Sequence, residues 1–377
     1  MVKTCAFLVP SGSVQVSIDK ETRVLTNKFK EQMKRTILFL FAVIAMVMGA
    51  KAQQQTATLQ RGNSTTYYYG ADAFKEAYNA ANDGSVITLS AGYFNTVDSV
   101  MKQITIRGKG YTGEKTVIGN TKKVFGYPIS LHVCTNNIAL DGLYIEKGVI
   151  LRNYSISNLY IRRCFLESFD CQPSAYHQNT IIENCKVGFV LSTQCANFCI
   201  KNSYVDWFSN TSNILCFNSI IGVYRDNLSY RNCIINVRNN NGQVTFESDQ
   251  EFINNVFFCG VYTMDVSNLE IGWAATASIE ESTRYSTPTL PDIETSNFKG
   301  NSVALFDDIF NYTNEENPLY APIITTITGD DGTVVGPYGG TGFSENPTIP
   351  RITESKIDTY TDGEGKLNVK VKVEVGQ

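Results

Sequence analysis

The nine residues that begin at Asn158, NLYIRRCFL, return along the chain as a repeating unit. The unit reads Asn, two variable residues, an apolar residue, a variable residue, Asn, Cys or Ser, a variable residue and a final apolar residue. Further copies are NTIIENCKV from Asn179, NFCIKNSYV from Asn197, NILCFNSII from Asn213 and NLSYRNCII from Asn227, with looser copies from Gln103, Asn137 and Asp249. Repetition of this kind is typical of a solenoid, in which each coil packs on its neighbours.

Each copy alternates as a strand that is buried on one face. The second and fourth positions are expected to point inward and the third and fifth outward, because successive strand residues point to opposite faces. The first and sixth positions predict two stacked asparagine columns at the corners, since Asn tolerates left-handed backbone and its amide bonds neighbouring groups. The structural ladder is predicted to contain Asn158, Asn179, Asn184, Asn197, Asn202, Asn218, Asn227 and Asn232.

The seventh position holds Cys164, Cys185 and Cys233, with Ser in other copies, which predicts a small inward side chain. Nine of the 10 Cys follow residue 52, so at least one is expected to remain a free thiol unless it pairs with another chain. The chain lacks the C-x-x-C pairs of a zinc site, so neither a metal nor a cofactor is predicted.

The coil length is uneven. Asn158 and Asn179 are 179 − 158 = 21 residues apart, but Asn213 and Asn227 are 227 − 213 = 14 apart, which is short for three strands and three turns. This leaves open whether one copy near Asn197, Asn213 or Asn227 lies on another face of the coil.

The segment before the repeats predicts an amphipathic helix over 72–82 with Asp72 as N-cap, followed by the turn Asp83-Gly84, a strand at 85–89 and the turn Ala91-Gly92. This order resembles the entry of pectin-lyase-like right-handed parallel β-helix proteins. The resemblance implies an all-β, right-handed, single-stranded parallel β-helix over 67–340, with a short N-terminal capping helix. The repeat fades beyond about Met264 into a polar, irregular stretch, which predicts an excursion at about 265–320. A flexible lead is expected at 53–66. The stretch Asp330–Gly340 is similar to the closing segment of secreted bacterial members.

Met33-Lys34-Arg35, the apolar run from Ile37 to Met48 and Ala50-Lys51-Ala52 predict a signal peptide at 33–52, preceded by an upstream extension at 1–32. The protein is therefore expected to be secreted, to the periplasm, cell surface or medium, without a transmembrane anchor after cleavage. With 32 Lys and Arg against 36 Asp and Glu, the net charge of −4 argues against nucleic acid as a partner.

The tail at 341–377 predicts a β-hairpin, with strands at 349–360 and 366–375 around the turn Thr361–Gly365. Two roles are expected for it: to cover the last coil, which is favoured, or to dock a protein partner.

The residues do not supply an obvious catalytic set. The resemblance includes galacturonase-type hydrolases, which carry an aspartate cluster and a Gly-His-Gly motif, but neither His132 nor His177 has that glycine frame. Lyases of this fold need a base and a cation that neutralises the carboxylate of a uronate. The fifth position of the repeat carries cations, but Asp141 and Glu183 interrupt them, so the column is mixed in charge and not uniformly basic.

The eighth position, predicted to face outward, carries aromatic rings that suit sugar faces, next to cations that suit acidic groups. The candidate polysaccharide-binding residues are Tyr144, Arg162, Phe165, Lys201 and Tyr204. The alternative is that a long loop covers these rings. The favoured function is a non-catalytic glycan-binding or structural surface module. A polysaccharide lyase or glycoside hydrolase acting on acidic polysaccharide, and an adhesin or assembly component, are the alternatives.

Overall fold

The computed structural model describes most of the chain from residue 55 onward. The described residues are 55–119, 130–152, 155–171, 176–192, 195–209, 211, 213–225, 227–237, 243–246, 249–259, 287–309, 326–344, 351–357 and 369–374. The predicted signal peptide, most of the predicted excursion at 265–320 and the turn Thr361–Gly365 lie outside these ranges. Among the described residues, no helix is long and apolar enough to cross a membrane.

Two helices and 26 strands follow one another along the described chain. The helices are α1 (Ala73–Ala80) and the single turn α2 (Phe306–Ile309). The strands are β1 (Thr56–Arg61), β2 (Ser64–Tyr69), β3 (Val86–Leu89), β4 (Gly92–Asn95), β5 (Thr105–Arg107), β6 (Thr116–Gly119), β7 (Leu131–Val133), β8 (Ile138–Asp141), β9 (Tyr144–Ile145), β10 (Val149–Leu151), β11 (Ser157–Arg162), β12 (Phe165–Cys171), β13 (His177–Glu183), β14 (Lys186–Ser192), β15 (Cys195–Lys201), β16 (Tyr204–Ser209), β17 (Ile214–Phe217), β18 (Ile220–Ile221), β19 (Ser229–Arg231), β20 (Ile234–Asn236), β21 (Phe252–Ile253), β22 (Val256–Phe258), β23 (Phe298–Lys299), β24 (Ser302–Val303), β25 (Arg351–Ile357) and β26 (Val369–Glu374).

The strands form two long sheets that the chain visits in turn. The first sheet has the order β2-β1-β3-β5-β8-β11-β13-β15-β17-β19-β21-β23, and the second runs β24-β22-β20-β18-β16-β14-β12-β9-β6-β4, with β10 joining β12 to β7. Within these two sheets pairing is parallel throughout except between β1 and its neighbours β2 and β3. From β11 to β22 the chain alternates between the sheets, one strand in each, so the coils stack as a solenoid of the β-helix type.

The segment predicted as a flexible lead at 53–66 contains, in its described part, strand β1 and the beginning of β2. Strand β1 pairs antiparallel with β3, and its Ala57 and Leu59 are fully buried in the core between the sheets. The alternation of Thr56–Arg61 supplies the reason, because two apolar side chains on one face extend the core beyond the first parallel coil.

Helix α1 is held by its apolar face rather than by a cap. Its Phe74, Ala77 and Tyr78 are buried with the core residues. Asp72 occupies the predicted N-cap position but makes no capping hydrogen bond. Its carboxylate accepts a hydrogen bond of 2.7 Å from the Asn95 amide instead, which ties the start of the helix to β4.

The first-position asparagines adopt left-handed backbone and bond in series. The φ angles at Asn137, Asn158, Asn179, Asn197 and Asn213 lie between 52° and 60°. The Asn158 amide donates to Asn137 over 2.8 Å, Asn179 donates to Asn158 over 3.2 Å, and Asn197 donates to Asn179 over 3.0 Å. Asn227 departs from the column, because it lacks a positive φ and its amide donates to the Thr211 carbonyl.

The sixth position is also left-handed, but its amides have other partners. Positive φ occurs at Asn184, Asn202, Asn218, Asn232 and Asn254, and at Arg163 in the same register. Asn202 donates to the carbonyls of Pro337 and Gly339 over 2.9 and 2.6 Å. Asn232 and Asp330 exchange two hydrogen bonds of 2.8 and 3.2 Å. This column therefore anchors residues 326–344, called the covering segment below.

The short coils keep the same register as the long ones. Phe198 pairs with Ile214, and Leu215 pairs with Ser229, so β15, β17 and β19 are neighbours in the first sheet. No copy moves to another face. The coils shorten instead in the second sheet, where β16 has six residues and β18 has only two.

The last two strands, β25 and β26, form a separate antiparallel two-stranded sheet, with an irregularity between Ile352 and Glu354. Its role as a cap or as a docking element remains a prediction.

The seventh position forms a buried ladder of hydrogen bonds between side chain and backbone. The Cys164 N–H donates to Cys185 Sγ over 3.4 Å, the Cys185 N–H to Ser203 Oγ over 3.1 Å, and the Ser203 N–H to Ser219 Oγ over 3.2 Å. Each side chain thus accepts from the preceding coil, which explains why this column takes small polar groups as well as Cys.

We expect Cys185→Ala to lower the free energy of unfolding by about 2 kcal/mol, because the Cys164 N–H would be buried without an acceptor. Cys185→Ser should lose less than half as much, since serine already serves at this position in Ser203 and Ser219. Urea unfolding of the three proteins measures both values. Equal losses for Ala and Ser would contradict the ladder.

Candidate functional site

The three rings predicted to bind sugar are covered. Tyr144, Phe165 and Tyr204 are only 3%, 8% and 0% exposed, so the exposure predicted for them is not found. Their side chains do leave the coil interior: Phe165 and Tyr204 belong to an outer apolar cluster, whereas the next residues, Leu166 and Val205, belong to the core. The eighth position therefore faces outward as expected, onto a second buried layer.

The covering segment supplies much of that layer. Phe343 meets Tyr204 edge to face with ring centres 5.0 Å apart, and the hydroxyls of Tyr204 and Tyr338 are 3.4 Å apart. Val335 is buried in the same cluster. Gly340 is required at the anchor, because its φ is +58° and a Cβ there would lie 2.4 Å from the Asn218 amide nitrogen. The alternative expected from the sequence, that a long loop covers these rings, therefore describes Tyr204.

The other two rings of the predicted site, Tyr144 and Phe165, pack against each other. Tyr144 and Phe165 stack at 4.7 Å with an interplanar angle of 3°, and burial raises the pKa of the Tyr144 hydroxyl. These rings stabilise the fold and do not offer a face to a ligand.

The predicted cations lie on the outer face of the first sheet, in a column of alternating charge. Arg162 lies in register between Asp141 and Glu183, and Glu183 lies beside Lys201. Arg162 Nη2 is 3.6 Å from Asp141 Oδ2, and Lys201 Nζ is 3.0 Å from Glu183 Oε1. Each predicted cation therefore already has a carboxylate partner.

Hydrogen bonds and burial in this column determine the protonation states of Glu183 and of its partner Tyr160. Burial acts to raise the pKa of Glu183, but hydrogen bonds from Tyr160 and Lys201 outweigh it, and the pKa lies below its ordinary value. Burial, and then the hydrogen bond to Glu183, raise the pKa of Tyr160 to about 12. At neutral pH Glu183 is thus ionised and cannot donate a proton, and Tyr160 is protonated and cannot accept one.

An exposed aromatic group lies elsewhere, on the second sheet. Trp207 in β16 is 39% exposed and is in register with Phe189 in β14. Their rings meet edge to face at 5.6 Å. The Arg225 guanidinium lies 5.6 Å from the centre of the Trp207 ring. We call Phe189, Trp207 and Arg225 the Trp207 platform.

Arg225 is fixed in place by the backbone. Its Nε donates to the Phe208 carbonyl over 2.9 Å. The Tyr230 hydroxyl accepts from the Arg225 N–H over 3.2 Å and donates to the Arg225 carbonyl over 3.0 Å. Within the described ranges no carboxylate pairs with Arg225, in contrast to Arg162 and Lys201. The platform therefore combines an exposed ring with an oriented cation that pairs with none of the carboxylates in the described part of the chain.

No family model, curated protein or solved structure matches the chain. What the molecule binds is therefore inferred from the chemistry of its exposed side chains.

A cavity of about 830 Å³ opens at the asparagine corner of the first sheet. It is lined by Tyr176, Cys195, Asn197, Phe198, Cys199 and Leu215, among others. Among the described residues, no three His, Cys, Asp or Glu side chains lie close enough together to hold a metal ion.

The nine-residue unit does not include the platform residues, because it ends two positions before them. Phe189 and Trp207 stand at the eleventh position counted from Asn179 and Asn197. Extending the unit by two residues would have aligned them and given a column that continues to Ser168 in β12.

Proposed function

We propose that this chain is an exported, right-handed β-helix protein of the pectin-lyase-like type that binds an acidic polysaccharide at the Trp207 platform without cleaving it. Export is supported by the sequence at 33–52, and the fold type by the stacked parallel coils and the helix at their start.

The single observation that carries the binding proposal is the Arg225 guanidinium beside the exposed ring of Trp207. Sugar rings present C–H faces that pack on an aromatic ring. A uronate carboxylate bound to the same sugar would meet the guanidinium, which makes strong charge-assisted hydrogen bonds with carboxylates. The two groups together select for an acidic sugar over a neutral one.

The platform also has the rigidity that weak sugar contacts require. Phe189 braces the Trp207 ring from the neighbouring strand, and the Phe208 carbonyl holds Arg225. Little side-chain freedom is then lost on binding, which lowers its cost.

Two observations support binding without cleavage. Glu167 lies in β12, the strand that pairs with β14 of the platform. Its carboxylate pairs with the Lys147 ammonium at 2.7 Å. The outer face of the first sheet offers Glu183 only as an ionised group, as its lowered pKa requires. A hydrolase acid must carry a proton to donate, which the ionised Glu183 does not.

We expect Trp207→Ala to weaken binding to polygalacturonate or alginate roughly tenfold, the loss that corresponds to about 1.4 kcal/mol of ring packing. Affinity electrophoresis in gels with and without each polysaccharide measures the change. Trp207→Phe should retain most of the binding, and Arg225→Ala should reduce it more for the acidic polysaccharides than for a neutral glucan.

The matched control is Tyr67→Ala, which removes another exposed ring, 58% accessible, on strand β2 of the first sheet. Its binding should equal that of the unmodified protein. Equal binding by Trp207→Ala and the unmodified protein would refute the platform, and release of unsaturated uronides or new reducing ends would refute the non-catalytic role.

A further inference from the structure

The first sheet ends in a long free edge. Strand β2 is the last strand at one end of this sheet, and in the described part of the chain it pairs only with β1. It has six residues, whereas the strands at the other ends of the two sheets, β4, β23 and β24, have four, two and two. A free edge of this length is a template for a strand of another chain.

The sequence of β2 lacks the usual protection against such pairing. Ser64–Tyr69 reads STTYYY and contains no charged residue, Pro or Gly. Charged side chains, Pro and bulges are the means by which proteins block an edge strand. Tyr67 and Tyr69 are instead 58% and 57% exposed, while Tyr68 between them packs against the core. Strand β2 is therefore anchored on one face and open on the other.

The backbone groups of three residues point to the free edge. Paired residues in an antiparallel ladder alternate between those that exchange hydrogen bonds and those that do not. The Gly70 N–H donates to the Gln55 carbonyl over 2.8 Å, one step beyond the end of the β1–β2 register. By alternation, Tyr69, Tyr67 and Thr65 belong to pairs without hydrogen bonds to β1. Their N–H and C=O groups therefore point away from β1.

We propose that two copies of this chain associate through β2, as an antiparallel pair of strands related by a two-fold axis at Tyr67. In this register Tyr67 lies opposite its own copy, and Thr65 lies opposite Tyr69 of the second copy. All three residues with free backbone groups then exchange hydrogen bonds across the axis. An axis at any other residue places at least one of the three opposite a residue outside Ser64–Tyr69.

The side chains agree with this register. Thr65, Tyr67 and Tyr69 share the exposed face of β2. In the dimer the two Tyr67 rings are neighbours, and each Tyr69 ring packs beside a Thr65. Aromatic pairs, and pairs of an aromatic with a β-branched residue, are favoured across strands. The patch is thus self-complementary, as a two-fold interface requires.

The dimer does not depend on sugar binding, because the Trp207 platform lies on the second sheet and β2 on the first. Sedimentation velocity of the intact protein over a series of concentrations is the first test. We expect a concentration-dependent shift from one chain to two. A single chain at every concentration up to about 0.1 mM, or assemblies of more than two chains, would overturn the proposal.

Substitution at the axis tests the register. Tyr67→Lys and Tyr67→Glu each place two like charges directly opposite each other, so each variant alone should be monomeric. An equal mixture of the two should dimerise again, because Lys then lies opposite Glu. A mixture that stays monomeric, or a single variant that dimerises as well as the unmodified protein, would refute the axis at Tyr67.

Proline at the same position tests the backbone contacts. Because the Tyr67 N–H points to the free edge, Tyr67→Pro removes an intermolecular donor and leaves the pairing of β2 with β1 intact. It should weaken the dimer roughly tenfold or more. Tyr67→Ala, which keeps the N–H, should weaken it by no more than about fivefold, the loss of one cross-strand pair.

Equal dimerisation by Tyr67→Pro and the unmodified protein would contradict backbone pairing at this edge. Circular dichroism checks that each variant is folded. If Tyr67→Pro does not fold, the mixture of the Lys and Glu variants decides alone.

Discussion

Tyr204→Ala is expected to lower the free energy of unfolding by about 3–5 kcal/mol, the range for deleting a fully buried aromatic side chain. Tyr204 begins strand β16, is 0% exposed and packs against Phe343 of the covering segment. Its removal leaves a cavity that rigid strands on one side cannot fill. Urea unfolding followed by circular dichroism measures the loss.

Trp207→Ala on the same strand is the matched control, with an expected loss below about 1 kcal/mol because the Trp207 ring is 39% exposed. Removal of Tyr204 should also speed cleavage of the covering segment by a protease, since one of its apolar contacts is lost. If Tyr204→Ala unfolded at the same urea concentration as the unmodified protein, the outer cluster would not be part of the folded core.

Arg163→Asn is the second change for which a large effect is expected, a loss of about 3 kcal/mol or more. Arg163 holds Asp141 with two hydrogen bonds of 2.9 and 2.6 Å, and its side chain is 3% exposed. The substitution leaves the Asp141 carboxylate buried, with only the more distant Arg162 for compensation. Thermal or urea unfolding gives the magnitude.

Asparagine is the informative replacement, because Arg163 has a φ of 49° at a corner where other coils use Asn. The backbone conformation is thus preserved while the ion pair is removed. Adding Asp141→Asn should recover much of the loss, since no buried charge then remains unpaired. A double variant no more stable than Arg163→Asn would show that the ion pair is not the cause.

The stacking of the coils was predictable because it depends on local pattern. Alternation placed Leu159 and Ile161 inward, and the left-handed backbone at Asn158 and Asn179 follows from what Asn tolerates. Parallel pairing in register then follows, since a slip by one residue would turn the apolar side chains outward.

The candidate site was less predictable because it depends on contacts between distant parts of the chain. Tyr204 and Tyr338 are separated by 134 positions, and no periodic signal links a ring on one coil to a loop that returns across it. The charge pairing of Lys201 with Glu183 was readable in principle, because both occupy the fifth position of neighbouring copies. The Trp207 platform required the register of β14 and β16, which extends beyond the repeated unit.

The constant span between the two corners has a consequence for how this chain tolerates change. Corner residues such as Asn179 and Asn184 always stand five positions apart, whereas the spacing of equivalent residues in adjacent coils falls from 21 to 18 to 16. The number of residues between the two corners is therefore constant in the first sheet. The rest of each coil can gain or lose residues without disturbing that sheet. Natural insertions, and peptides grafted by protein engineers, should accumulate in that part of the coil, which gives the scaffold a variable surface on an invariant frame.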